Sequence, residues 1–309
     1  MSGSDEESII VIMAHGQTIP AERLGELSAN AANPDDHETL AAQMAEHGYV
    51  YLREFLPRED VLAAREAIFS QLEAVGEVEP PPLDGIYSGH SERREATEDL
   101  GTFWKTVAET WALRRLTHGP DLHRLMSTLF GKPARAQDFI FLRPANRGKF
   151  THVHCDYAFF TRSTETVLTA WVALGDIPTT DGPLFIVEGS HRFDDIVEAQ
   201  RGFDVARDTS RTAAIMIPPQ VFARERNTRL LTTDFAAGDV VIFPMFTLHG
   251  SLDNVSAKNR IRLSVDVRFQ PADDPMDPRY FGPNPTGTTG AGYGELTGAK
   301  PLSDEWHIR

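Results

Sequence analysis

The sequence predicts a mainly β protein with flanking helices, its core a sandwich or barrel of jelly-roll type. Three observations carry that expectation. Apolar runs before about residue 131 recur at helical spacing, whereas from Ala136 onward they are short, β-rich and separated by turn residues. One late segment, Arg260 to Phe269, alternates without a break. No stretch offers the ~18 consecutive apolar residues of a membrane span.

In chain order, residues 1 to about 34 are weakly patterned. Asp35 and Asp36 stand where a helix N-cap belongs, Leu40 and Met44 share a face, and Gly48 is placed to end the helix. A short strand is expected over Tyr49 to Phe55. Pro57 suits a first helical position, and Val61, Leu62, Ile68, Phe69, Leu72 and Val75 predict a helix over about 58–75. The consecutive prolines 80–82 exclude helix interior, and a polar loop runs on to about 98. One further helix is expected to carry Trp104, Val107 and Trp111, another Leu122, Leu125, Met126 and Leu129 with Gly131 at its end. The helical part thus covers about 35–131.

Strands are expected over Phe139 to Arg143, around Phe150 to Phe160, and over Thr166 to Leu174, Pro183 to Val187, Asp239 to Phe243 and Arg260 to Phe269. Together they form one core over about 136–270. The polar, charged stretch from about 193 to 235 interrupts them and reads as an insertion that covers the site. Residues 271–309 are rich in Pro and Gly and predict an irregular tail on the surface. The 309 residues read as a single domain.

A net charge of −15 argues against a nucleic-acid surface. Its plain reading is solubility, with an acidic mouth for a cationic substrate as the alternative. Cys155 is the one cysteine, so no intrachain disulfide can form and nothing asks for an oxidising compartment. The acidic N-terminus is unlike a signal peptide. A cytoplasmic protein that binds no membrane is expected, its oligomeric state open.

The chemistry centres on FTHVHCDYAFF, residues 150–160. In a strand, positions i and i+2 face the same side, so His154 and Asp156 can meet at one point, whether the segment is a strand or a strand leaving for a loop. His249, in GDVVIFPMFTLHGS, is the best third ligand. Two histidines and a carboxylate on one face of a metal suit a non-haem Fe(II) oxygenase. In RIRLSVDVRF, Ile261, Leu263, Val265, Val267 and Phe269 share one face, and Arg260, Arg262, Ser264, Asp266 and Arg268 the other. If Arg260 points into a barrel, its planar fork can hold a dicarboxylate and Arg262 lines the same cavity; the alternative is a solvent-facing polar edge.

Other readings use the same residues. His152 with His154 permits a cupin-like His-x-His site, although Ala158, Phe159 and Phe160 stand where a glutamate is wanted, and His152 is kept as a pocket residue. Cys155 should point away into the core. His191, after Gly189-Ser190, either helps form the pocket or satisfies its turn. Arg143 and Lys149 could meet a carboxylate. Zinc hydrolysis lacks a general base.

These segments resemble the phytanoyl-CoA dioxygenase family of Fe(II)- and 2-oxoglutarate-dependent oxygenases. The resemblance runs from about Tyr49 to Gln270 and rests on GYVYLREFLPREDV, HCD at 154–156, TAWVALGDI, GPLFIVEGSH, GDVVIFPMFTLHGS and NRIRLS, with an Arg eleven residues after His249. It implies a double-stranded β-helix core and iron at His154, Asp156 and His249. It further implies 2-oxoglutarate held by Arg260 and contacted by Ser251 and Trp171, dioxygen as oxidant, and hydroxylation of a small-molecule substrate with release of succinate and carbon dioxide. Relatives that halogenate replace the ligand carboxylate by a small residue; Asp156 is present, so hydroxylation is expected. The alternative is a binding module of this fold without catalysis. The Arg-rich stretch 193–235 is expected to decide selectivity.

Overall fold

The computed structural model describes residues 11–29, 33–97, 100–208, 210–282, 285 and 287, with the side chains of 101 and 102 excepted. An N-terminal hairpin pairs β1 (Met13–Ala14) with β2 (Gln17–Thr18), and β3 (Leu24–Glu26) follows. Then come α1 (His37–His47), β4 (Val50–Leu52), α2 (Arg58–Glu73), α3 (Arg93–Ala96), α4 (Leu100–Ala108), α5 (Trp111–Thr117) and α6 (Pro120–Phe130). The β-rich part holds β5 (Ala134–Ala145), β6 (Val153–His154), β7 (Leu168–Ala173) and β8 (Leu184–Val187). After α7 (Asp194–Gln200), β9 (Ala214–Ile215) and α8 (Pro219–Glu225) it continues with β10 (Leu230–Thr232), β11 (Val240–Pro244), β12 (His249–Ser251) and β13 (Arg262–Pro271).

Two sheets carry the molecule, one in the order β3-β10-β8-β12-β6-β9 and the other β4-β11-β7-β13-β5. Apart from the parallel β3–β10 pair, their pairings are antiparallel, so the jelly-roll expectation is borne out. The central strand β13 decides where the site lies. Its alternation is that of a strand buried on both faces, for every residue from Arg262 to Pro271 is buried. Leu263, Val265, Val267 and Phe269 pack into the layer formed by α2, α4, α5 and α6. At roughly 1.5–3 kcal/mol for each fully buried apolar side chain, this face is a main support of the fold. The opposite face, Arg262, Ser264, Asp266 and Arg268, is turned inward and shielded from solvent, so the polar-edge alternative does not hold.

Local signals placed most helices. The Asp36 carboxylate accepts the Thr39 N–H at 3.2 Å and caps α1, which Gly48 ends at φ 75°. Other expectations need correction. Pro57 is the residue before α2 and not its first. Trp111 opens a helix of its own, separate from that of Trp104. The polar loop contains α3. The stretch 193–235 is no plain insertion, because its end supplies β10, which pairs with β8 and β3 inside the larger sheet. Residues of the C-terminal tail that are described do not all lie on the surface: Tyr280 is fully buried and its hydroxyl donates to the Phe159 carbonyl at 2.7 Å. The rest of that tail, from 288 on, lies outside the described residues. No helix among them is long and apolar enough to cross a membrane.

Candidate metal centre

The register of two strands brings the histidines together. β6 and β12 are antiparallel neighbours, and His154 stands directly opposite His249 with ring centroids 4.3 Å apart. Gly250 permits β12 to lie this close: a Cβ there would meet the Thr151 carbonyl and the Phe185 ring, each at 2.9 Å. The carboxylate arrives differently. β6 ends at His154, and Asp156 has turned to φ −77°, ψ −17°, just before a single helical turn at Tyr157–Phe159. The segment is thus a strand leaving for a loop. Cys155 between the two is buried in the core, and burial pushes its thiol up to about 12.

Each ring is held in one tautomer. His154 Nδ1 lies 2.8 Å from the His152 carbonyl and His249 Nδ1 3.0 Å from that of Thr247. A carbonyl only accepts, so both Nδ1 atoms carry the proton and both Nε2 lone pairs are free. These Nε2 atoms lie 3.8 and 3.9 Å from Asp156 Oδ1, and the three ligand atoms are all within 4.8 Å of one another. Asp156 Oδ2 is engaged elsewhere, accepting from the Thr169 hydroxyl and from Arg268 Nη2 at 2.9 Å. Burial raises the Asp156 pKa, but Arg268, His249 and His154 outweigh it and hold the group far down. Burial and then His249 lower His154 to about 3, so its ring is neutral and can donate a lone pair. Burial likewise lowers His249. The residues present therefore suit a divalent cation bound by two neutral imidazoles and one carboxylate.

The other expected site residues divide. Ser251, Trp171 and Arg262 line a small space of about 20 Å³ with His154, His249 and Asp266. Arg262 is buried, its Nε donating to the Gly182 carbonyl at 3.1 Å and its Nη1 to Ser264 Oγ at 2.8 Å. Burial and the neighbouring Arg143 lower it to about 10, still well above neutrality. Arg260 is elsewhere. It precedes β13, bridges Ile86, and its Nε lies 3.5 Å from Asp181, beside a different cavity shared with Arg58, Arg65 and Asp176. Arg260 lies outside β13, which begins at Arg262, and bridges Ile86 instead of a strand of the sheet, so strand parity does not extend back to it. His191 is also apart: its Nε2 lies 3.2 Å from the Ala45 carbonyl near the end of α1, away from the triad.

A larger cavity of about 590 Å³ opens on the His154 and Asp156 side. His152 lines it, in edge contact with His15 of the N-terminal hairpin. Phe141, Phe150, Phe159 and Phe160 supply apolar wall, and residues 211–214 of the 193–235 stretch close one side. Among the described residues its cationic lining consists of Arg143, Arg211 and Arg268 against Asp156 as the one acid, which gives the acidic-mouth alternative no support. Sequence reasoning gave Arg268 and Thr169 no role. For Arg268 the alternation on β13 was the available signal; for Thr169 there was none.

Comparison with known proteins agrees with this geometry. A family profile described as phytanoyl-CoA dioxygenase (PhyH) matches residues 44–262. The 1-deoxypentalenic acid 11-beta-hydroxylase of Streptomyces arenae is 30% identical over 251 residues, covering 77% of this chain and 82% of its own. An ectoine dioxygenase of Halomonas elongata is 29% identical over 143 residues, 44% of this chain and 43% of its own. The solved structure of the α-ketoglutarate-dependent carbocyclase SnoK from nogalamycin biosynthesis matches with a TM-score of 0.54 at 23% identity, covering 90% of this chain and 96% of that one, a likeness of fold. With its ligand triad and this profile match, the chain belongs to the phytanoyl-CoA dioxygenase family of non-haem oxygenases that use Fe(II), 2-oxoglutarate and dioxygen.

Proposed function

We propose that the protein hydroxylates an unactivated C–H bond of a small, largely apolar metabolite that carries an anionic group, with conversion of 2-oxoglutarate to succinate and carbon dioxide. His154, Asp156 and His249 would hold the iron, each offering one donor atom. Bound there, the iron supplies activation of dioxygen, coupled to decarboxylation of the cosubstrate. The protein's own residues bind, orient and shield.

Arg262 is the anchor we assign to the far carboxylate of 2-oxoglutarate, in place of Arg260. The observation that carries the reading is that Arg262, Ser251 and Trp171 share one lining with two of the three ligands. A buried, always charged guanidinium gives a carboxylate a strong, directional partner. The space beside it holds about one water at its present 20 Å³, so the cosubstrate needs a side chain to move. Arg143 is placed to do so: it lines both this space and the larger cavity, and its side chain is about one-third exposed.

The substrate class follows from the larger cavity. Its volume suits a compact small molecule, its four phenylalanines favour an apolar body, and Arg211 and Arg143 favour an anionic end. The relative in Streptomyces arenae is named for its action on an acid, which supports the same class. Anaerobic titration with Fe(II) and 2-oxoglutarate tests the cosubstrate site. The weak visible charge-transfer band of the chelate is expected in the unaltered protein and in Arg260→Ala, and is expected to be lost in Asp156→Ala and Arg262→Ala. Retention in Arg262→Ala would return the anchor to another residue.

A further inference from the structure

We propose that Arg268 is a positioning residue for the metal-ligating carboxylate, acting with Thr169 to keep Asp156 a ligand through one oxygen. This rests on the reading that the triad holds iron. Arg268 and Thr169 are direct cross-strand partners on β13 and β7, so one register delivers both donors to the same point. Both bond Asp156 Oδ2, leaving Oδ1 alone beside the two imidazoles. The grip also crosses the molecule, since the donors belong to the five-stranded sheet and the ligand segment continues from β6 of the other.

The guanidinium has little else to do. It is 1% exposed, lies over Phe141 at 4.3 Å and Phe160 at 5.1 Å, and its Nε and Nη1 make no hydrogen bond among the described residues. Nη1 comes only to 3.6 Å from Asp266, whose Oδ2 accepts from Arg143 Nε at 2.8 Å. The two rings hold the guanidinium in place at the wall of the large cavity. A buried pair of this kind is weak evidence for stability, because desolvation offsets much of the attraction. Its geometry has a chemical use instead. An unrestrained carboxylate can chelate through both oxygens and take a coordination position that a bidentate cosubstrate or dioxygen needs. With Oδ2 held by two donors, that position stays open.

The test compares the full-length protein with Arg268→Met, Arg268→Lys and Thr169→Val, each checked for folding by circular dichroism. Binding of Fe(II) and then of 2-oxoglutarate is followed anaerobically through the charge-transfer band. Arg268→Met is expected to keep Fe(II) binding but weaken 2-oxoglutarate by about tenfold or more and shift the band, the scale of losing a charged hydrogen bond. Arg268→Lys should recover most of the affinity, and Thr169→Val should shift the band by a smaller amount. A folded Arg268→Met with unchanged affinity and band overturns the proposal. If that variant does not fold, an unchanged band in Thr169→Val overturns it. No band in the unaltered protein overturns the iron reading itself, and this inference with it.

Discussion

Arg260 and Arg262 are two residues apart and serve different cavities. Arg262 lies inside the barrel beside His249 and Ser251, while Arg260 pairs with Asp181 outside it. Substitution should therefore separate them. Arg262→Ala is expected to raise the 2-oxoglutarate KM by roughly 10- to 100-fold, the loss of a charge-assisted contact. Arg260→Ala should leave that KM within about threefold but cost about 1–3 kcal/mol of stability, because it takes the ion partner from the buried Asp181 carboxylate. Steady-state kinetics with varied 2-oxoglutarate, together with urea unfolding, measure both.

Arg211 reaches the large cavity from the 193–235 stretch, its guanidinium 4.2 Å from the Phe203 ring centroid. If it meets the anionic end of the substrate, Arg211→Gln should raise the substrate KM about tenfold or more and leave the 2-oxoglutarate KM unchanged. A screen of acids and their neutral esters by succinate release supplies the substrate. Equal turnover of acid and ester would contradict the anionic-substrate assignment.

Gly250 separates His249 from Ser251 where β12 lies against Thr151 and Phe185. Gly250→Ala forces a methyl into that contact, so about 1–3 kcal/mol of destabilisation is expected, as for overpacking. Because the strand carrying His249 must move, metal affinity should fall with it. Calorimetric titration with Fe(II) or Co(II) would detect this, and unchanged binding would show that the strand absorbs the methyl.

Acid sensitivity has a defined contributor outside the ligand triad. His123 is edge-on to Phe269 at 5.3 Å, and burial lowers its pKa below 6.5. The folded state therefore binds fewer protons than the unfolded state just below pH 6.5. The stability this neutral ring contributes is complete above about pH 6.5 and is lost as pH falls through the window below. His123→Phe should flatten the decline in the urea midpoint between about pH 6.5 and pH 5, by at most about 1.4 kcal/mol per pH unit. An unaltered decline would assign the acid limb to the other buried histidines.

By itself the sequence determined what is local or periodic. Alternation over 261–269 marked β13, the Asp36 cap and Gly48 bounded α1, and the His-x-Asp triplet with His249 supplied donors of the right chemistry. Only the tertiary structure decided where those features point. Alternation says which residues share a face but not what that face meets, and here the polar face of β13 is closed over by the second sheet. Nor does it say where parity ends: alternation carried Arg260 onto the inner face as the anchor, whereas β13 begins only at Arg262 and Arg260 bridges Ile86. The three residues Leu230–Thr232 have too little pattern to mark a strand, and become one by pairing with β8 and β3. Thr169 and Arg268 reach Asp156 through register between strands about a hundred residues apart in sequence, a long-range relationship that no local stretch encodes.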